Sequence, residues 1–165
     1  MTETDSDLRD LYQDLILDHG RHPRNFHPIE AANCEAVGHN PLCGDKLVLF
    51  LTVDDHGHIA DAAFQGEGCA ISMASASMMT EMLIGKTAQE ARRLWAVFED
   101  LCKGNAVEPE RIAALPEDDA MRLQALAGVR HYPVRVKCAT LAWRTLESAL
   151  DPNSLKKAQK EVKTE

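Results

Sequence analysis

A stretch rich in apolar, β-branched and aromatic residues, 46–53, constrains the fold more than any other part of the chain. Side chains in an extended strand point to opposite faces in turn, so every second residue of this stretch lies on one face, which we expect to be buried. The next four residues, Asp-Asp-His-Gly, favour a hairpin turn, and residues 58–65 fit the returning strand. Residues 31–39 fit a short edge strand. The buried face of the central strand comprises Leu47, Leu49, Leu51 and Val53.

Helical periodicity dominates the rest of the chain. Apolar residues recur at i, i+3 and i+4 in the first segment, and a Thr-x-x-Glu capping box begins the third. Pro133 disfavours a helical conformation at Tyr132, so we expect the last helix to begin near Cys138. Residues 105–115 are predicted to form a loop. The predicted helices cover residues 5–19, 69–83, 87–102, 116–128 and 138–150. The resulting fold class is α+β, with a small antiparallel three-stranded sheet packed against several α-helices.

Length and composition limit the number of domains and the kind of partner. A chain of 165 residues suits one ordinary domain, which we assign to residues 1–150, followed by a mobile polar tail over residues 151–165. The net charge of −8 disfavours binding to nucleic acid. No apolar run approaches the roughly 20 residues of a membrane span, and the acidic start does not fit a signal peptide. We therefore expect a cytoplasmic protein that acts on proteins or small molecules.

The chain has five cysteines, an odd number, which favours metal binding or thiol chemistry over a set of disulfides. Cys43 and Asp45 are separated only by glycine, so in an extended segment both side chains point the same way. Cys69 and Cys138 each lie where a helix is predicted to begin, where the helix dipole lowers the pKa of a thiol. Three thiolates and one carboxylate are a suitable ligand set for zinc.

Spacing alone leaves a second interpretation open. Cysteine is among the most buried residue types, and the wide separation of Cys43, Cys69 and Cys138 matches no compact zinc motif. Cys34 lies in a predicted strand and Cys102 completes an apolar helical stripe, so both are predicted to be packing residues. His39 is near enough in sequence to reach an ion, but a surface or turn position is expected for it.

Three separated motifs give the chain a family resemblance. They are Asn-Pro-Leu-Cys-Gly-Asp at 40–45, Gly-Glu-Gly-Cys-Ala-Ile-Ser at 66–72 and Arg-Val-Lys-Cys-Ala-Thr-Leu at 135–141. Together they resemble the IscU/NifU N-terminal family of iron–sulfur cluster biogenesis, and residues 12–25 resemble the N-terminal signature of that family. The resemblance covers about residues 8–150. Two features resemble its SufU branch: Lys137 replaces the histidine of scaffold members, and the segment between the second and third cysteines is longer.

The resemblance implies a site and an activity. It implies that Cys43, Asp45, Cys69 and Cys138 bind Zn²⁺, and that Cys43 accepts sulfane sulfur from a SufS-type cysteine desulfurase. The sulfur then passes to downstream iron–sulfur assembly proteins. Arg135 is expected to steady Asp45 or the reacting thiol electrostatically. The implied activity is that of a zinc-dependent sulfurtransferase.

Two other functions stay open at this point. The same four ligands are able to hold a [2Fe–2S] cluster, as in a scaffold protein. Lys137 weakens that alternative because an ammonium group is a poor ligand compared with imidazole. In the third alternative, zinc only stabilises the fold and the protein regulates the desulfurase by binding it.

Overall fold

The computed structural model describes residues 3–151 and 161–163, which form four strands, six α-helices and one 3₁₀ helix. The strands are β1 (Cys34–Asn40), β2 (Asp45–Val53), β3 (Ile59–Glu67) and β4 (Glu161–Lys163). The α-helices are α1 (Glu3–Arg21), α2 (Ala70–Leu83), α3 (Ala88–Cys102), α4 (Pro109–Ala113), α5 (Glu117–Leu126) and α6 (Pro133–Ala149). The 3₁₀ helix (Ala127–His131) connects α5 to the segment before α6.

The sheet contains the predicted antiparallel arrangement of three strands. β1 pairs with β2 from Cys34 opposite Leu51 to Asn40 opposite Asp45, and β2 pairs with β3 on its other side. Leu51 and its alternate neighbours along β2 are buried, while Val53 at the strand end is only half-buried. The α+β prediction is confirmed.

A fourth strand lies parallel to β1 at the sheet edge, giving the order β3-β2-β1-β4. β4 falls within residues 151–165, which the sequence analysis assigned to a mobile tail. Residues 152–160, 164 and 165 lie outside the described part of the chain, so mobility there stays a prediction.

Helices α2 and α6 pack closely against each other beside the sheet. The Ser75 hydroxyl donates to the Ala139 carbonyl at 2.6 Å and accepts from the Trp143 indole N–H at 3.2 Å. Small side chains along α2 allow this close approach. Met78, Met79 and Met82 are fully buried, which confirms their prediction as core residues. The position of α6 is thereby fixed relative to the start of α2.

The ends of several helices agree with the capping signals. Thr87 caps α3, and its hydroxyl accepts from the Glu90 N–H at 3.1 Å, as the capping box predicts. Gly85 follows the end of α2 in the left-handed region, with φ of 91°. These local signals are strong because they depend on residues only a few positions apart.

Two helix predictions were wrong. Residues 105–115, predicted as a loop, contain the short helix α4. The last helix begins at Pro133 rather than near Cys138. Proline fits the first helical position because its missing N–H would have no partner there, whereas Tyr132 before it is non-helical, with φ of −131° and ψ of 87°. Cys138 therefore lies in the second turn of α6. In the described part of the chain, no helix has the length and apolar character needed to cross a membrane.

Candidate metal centre

The β1–β2 hairpin carries the first two candidate ligands. Asn40 and Asp45 face each other as the last pair of the ladder, so residues 41–44 form the connecting loop. Gly44 has φ of 73°, which glycine adopts without strain, and it turns the chain between Cys43 and Asp45. The segment is therefore a turn, and the extended conformation in which Cys43 and Asp45 would point the same way does not occur. Cys43 is half-buried in the loop, whereas Asp45 begins β2 with 1% of its surface exposed.

The start of α2 supplies Cys69 and several hydrogen bonds. Cys69 is the N-cap residue, as predicted for a helix start, and its sulfur accepts from the Ser72 N–H at 3.5 Å. Its own N–H donates to Asp45 Oδ1 at 2.9 Å. This contact requires Gly68, because a Cβ at that position would lie 2.6 Å from Asp45 Oδ1. The Gly66-Glu67-Gly68 segment thus allows the backbone to approach the carboxylate closely.

The third element of the site is the second turn of α6. Cys138 is fully buried, and its thiol donates to the Cys43 sulfur at 3.4 Å. Sulfur or oxygen atoms of Cys43, Asp45 and Cys138 all lie within 4.8 Å of one another. The Cys69 thiol, which faces Ser72, is not part of this group. The structure thus brings three of the four predicted ligands together and places the fourth on the adjacent helix cap.

Asp45 is a buried carboxylate that accepts hydrogen bonds from neutral groups. Besides the Cys69 N–H, its donors are the Ser72 hydroxyl at 3.2 Å and the Asn40 side-chain amide at 3.3 Å. It forms no ion pair with any residue in the described part of the chain. Burying a charge is costly unless it is paired or coordinates a metal.

The thiols of Cys43 and Cys138 lie close to this carboxylate and to each other. Burial, followed by the hydrogen bonds with Cys43 and Asp45, raises the pKa of the Cys138 thiol. The lowered pKa predicted for a thiol at a helix start is therefore wrong for Cys138, because this residue lies in a buried second turn. A divalent cation reverses this balance, because a coordinating thiol is deprotonated outright. The buried carboxylate and the clustered thiols therefore fit a thiophilic divalent cation such as zinc.

Arg135 lies one turn before Cys138 on the exposed side of α6. A hydrogen bond with the Cys138 thiol, followed by the charges of Cys69 and Cys138, raises the pKa of its guanidinium. Arg135 thus places a positive charge near the thiol cluster on its solvent side. Its role in a reaction stays a prediction.

Sequence reasoning missed two polar residues of the site. Asn40 donates to Asp45 and also to the Cys138 sulfur at 3.8 Å, while its side-chain oxygen accepts from the Leu42 N–H. Ser72 connects Cys69 to Asp45. Both lie inside the motifs quoted above, and the Cys69-x-x-Ser72 spacing is that of an N-cap and its N3 partner. That spacing was the available signal for Ser72.

The remaining sequence candidates lie outside the cluster. Cys34 and Cys102 are buried, with 2% and 4% of their surface exposed, which agrees with their prediction as packing residues. Burial raises the pKa of both thiols, that of Cys102 to about 12. His39 is half-buried on β1, opposite Lys46, and does not belong to the group of clustered ligand atoms.

The fold and the site together define a class of protein. It is a small α+β protein in which a sheet hairpin, a helix cap and a second helix bring thiols and a buried carboxylate together as candidate metal ligands. A family model described as the NifU-like N-terminal domain matches residues 11–160. The chain belongs to this family, whose relatives include both SufU and IscU proteins of iron–sulfur cluster assembly.

Individual relatives cover most of the chain. It is 37% identical over 145 residues to the zinc-dependent sulfurtransferase SufU of Bacillus subtilis, covering 88% of this chain and 92% of the relative. It is also 37% identical to the iron–sulfur cluster assembly scaffold protein IscU of Streptococcus pyogenes, covering 88% and 86%. A crystal structure from Fervidobacterium islandicum, described as a cluster assembly scaffold protein for the SUF system, is 36% identical. It matches with a TM-score of 0.74 over 84% of this chain and 95% of that chain.

Proposed function

We propose that this protein is a zinc-dependent sulfurtransferase of the SufU type. In this proposal, Cys43 accepts persulfide sulfur from a SufS-type cysteine desulfurase in the cytoplasm and passes it to iron–sulfur cluster assembly proteins. The observation that carries the proposal is the asymmetry of the clustered groups: Cys43 is half-buried in a glycine-containing loop, whereas Asp45 and Cys138 are buried. The likeness to a relative named as a zinc-dependent sulfurtransferase supports it.

The proposed zinc ligands are Cys43, Asp45, Cys69 and Cys138. Bound zinc would keep the thiols deprotonated and protect them from disulfide formation. Asp45 is the hardest ligand of this set, and its hydrogen bonds from the Cys69 N–H and the Ser72 hydroxyl fix its orientation. Cys138 lies on a helix that packs tightly against α2, so its position is also fixed.

Cys43 has the freedom that a sulfur carrier needs. The following Gly44 has φ of 73°, and a Cβ placed there would meet nothing within 4 Å. Pro41, Leu42 and Gly44 of the loop are exposed. In the transfer step, the Cys43 thiolate attacks the outer sulfur of the desulfurase persulfide. A new sulfur–sulfur bond forms on Cys43, the persulfide bond of the donor breaks, and the donor cysteine leaves as a thiolate. We propose that Arg135, whose charge lies near the thiol cluster, stabilises the negative charge during this exchange.

Metal analysis and mass spectrometry test the proposal together. The purified protein should contain about one zinc per chain, as expected for a single closed site. After incubation with desulfurase and cysteine, it should gain one sulfur atom on the peptide that contains Cys43. Cys43→Ser should lose this gain, whereas Cys102→Ser, a change at a buried thiol outside the site, should retain it. Persulfide formation by Cys43→Ser at the parent rate would contradict the assignment.

A scaffold function is the second candidate, because relatives at 37% and 35% identity are named IscU scaffold proteins. Three thiolates and a carboxylate are able to hold a [2Fe–2S] cluster. Lys137 next to Cys138 disfavours it, since its ammonium group is a poor metal ligand. A brown protein that regains a cluster on reconstitution and donates it to an apoprotein would favour the scaffold. Desulfurase stimulation that survives Cys43→Ser would instead favour a regulatory role.

A further inference from the structure

A large cleft opens beside the candidate metal centre and has no role in the proposed chemistry. Its volume is about 1160 Å³. It is bounded by α1, the start of α2, the end of α3, the end of α5, the 3₁₀ helix and the start of α6, and Arg135 belongs to its wall. Arg135 lies three residues before Cys138 on α6, and Ile71 of the cleft wall precedes Ser72 at the start of α2, so a molecule in the cleft would reach the edge of the metal centre.

The described residues that line the cleft are basic, polar or apolar, and none of them is acidic. Arg130, His131 and Arg135 provide the basic groups, and none of the three forms an ion pair within the described part of the chain. This local charge opposes the net charge of −8 of the whole chain. The cleft is therefore complementary to a negatively charged partner.

The cleft also offers apolar contacts and a size that exceeds a small-molecule site. Ile16, Leu101 and Val129 lie among the apolar residues of its wall. Pockets for small ligands are roughly 300–1,000 Å³, so this open cleft is large for one of them. An extended or helical peptide segment that combines acidic and apolar side chains fits both the volume and the charge.

We propose that the cleft is the docking site for an acidic segment, anchored by apolar side chains, of the desulfurase that delivers sulfur to Cys43. This inference rests on the proposed function for the identity of the partner. Docking there would place the donor persulfide on the same side of the protein as Arg135 and the half-buried Cys43 thiol. The basic residues would speed encounter and select the partner, while the apolar wall would hold the bound segment.

Charge variants at the cleft rim test the docking site without touching the thiol cluster. Arg130→Glu combined with Gln124→Glu makes the exposed rim acidic, and Gln124→Glu is nearly isosteric. The matched control is Arg93→Glu with Gln65→Glu, two exposed positions that do not line the cleft. Circular dichroism and thermal unfolding establish that both double variants are folded.

The first readout is the dissociation constant between the zinc-loaded protein and the desulfurase, measured by isothermal titration calorimetry. The cleft variant should bind about tenfold more weakly at low salt, because like charges face each other across the interface. The control variant should bind as the parent does. The difference between cleft variant and parent should shrink at high ionic strength as the charges are screened.

The second readout identifies the docked segment. A photo-crosslinking amino acid at position 124 should capture a desulfurase peptide rich in Asp and Glu, whereas the same group at position 65 should capture none. Parent-like affinity of the cleft variant, a captured peptide without acidic residues, or a desulfurase that does not bind at all would overturn the docking site.

The proposed function fails by a different result, namely the absence of sulfur on Cys43 of the parent protein. If that happens, the affinity and crosslinking measurements still decide the docking site, because neither depends on sulfur transfer.

Discussion

A single methyl group at Gly68 is expected to disturb the candidate metal centre. A Cβ added there would lie 2.5 Å from the Ser72 hydroxyl oxygen and 2.6 Å from Asp45 Oδ1. Ordinary contacts of a Cβ begin at 3.4 Å, so the carboxylate or the backbone must move by about 0.8 Å. Asp45 has little room for this movement because it is buried and accepts three hydrogen bonds.

The energetic cost follows from these contacts. Overpacking a well-packed site costs about 1–3 kcal/mol, and a hydrogen bond to a charged group contributes about 1.5–3 kcal/mol. Because the hydroxyl of Ser72 rotates away more easily than the carboxylate shifts, we expect Gly68→Ala to lower the free energy of unfolding by about 2–3 kcal/mol. Zinc affinity should fall by about 10- to 100-fold, as when groups that orient a metal ligand are altered.

Urea unfolding followed by circular dichroism measures the stability, and competition with a chromophoric chelator measures the zinc affinity. Gly128→Ala is the matched control, since a Cβ there meets nothing within 4 Å. It should change stability by less than about 0.5 kcal/mol. If Gly68→Ala unfolds like the parent and binds zinc equally well, the close approach of the backbone to Asp45 is not important for the site.

Three further predictions concern residues outside the metal centre. Cys102 should resist alkylation by iodoacetamide at pH 8 in the folded protein and react after unfolding, because burial raises its pKa to about 12 and the thiolate is the nucleophile. Mass spectrometry of quenched samples measures the alkylation. If Cys102 in the folded protein reacts as fast as in the unfolded protein, the prediction is refuted. Burial lowers the pKa of His19 below 6.5, so the unfolded chain binds the proton more readily and stability should fall as pH decreases below about 6.5. The urea midpoints at pH 7.5 and pH 5.5 should therefore differ less for His19→Gln than for the parent. Equal differences in the two proteins would contradict this reasoning. Lys86→Met should cost about 2–3 kcal/mol because it removes a 2.7 Å ion pair from the buried Asp119, whose remaining ion pair among the described residues is with Arg122. Urea unfolding should show most of this stability restored in Lys86→Met/Asp119→Leu. A double variant as unstable as the single one would argue against a buried charge as the cause.

The parts of the fold that the sequence predicted well depend on short-range signals. Residues 46–53 are rich in apolar and β-branched side chains, and the following turn carries the hairpin residues, so the central strand and its return were predictable. The cap at Thr87 and the N-cap position of Cys69 were predictable for the same reason. In each case the deciding contacts lie within a few residues of one another.

The wrong predictions concern positions where tertiary packing competes with a local rule. Pro133 ends helical structure before it but also fits the first turn of a helix, and the sequence alone does not decide between the two. The choice matters for the site, because it places Cys138 in a buried second turn instead of at an exposed helix start. The direction of its pKa shift follows from that burial and was therefore predicted incorrectly.

The candidate site was predictable as a set of residues but not as an arrangement. The motifs identified the clustered residues, yet the positive φ of Gly44 and the hydrogen bonds of Asn40 arise only from the register of the β1–β2 hairpin. The same register places Asn40 opposite Asp45. The amide therefore contacts the carboxylate and the Cys138 sulfur together, a three-way contact that no sequence spacing indicates.

The packing around the site explains why Cys43 is held less firmly than Cys69 and Cys138. Cys138 is held by α6, which the hydroxyl of Ser75 joins to α2, and Cys69 is held by the cap of α2 itself. Cys43 lies instead in the hairpin loop, next to a glycine at which an added Cβ would meet nothing within 4 Å. Under the proposed function, a partner is therefore able to draw Cys43 outward without disturbing the core. The remaining thiols and the carboxylate stay in place, since β2, α2 and α6, which carry or follow them, each contribute residues to the hydrophobic core.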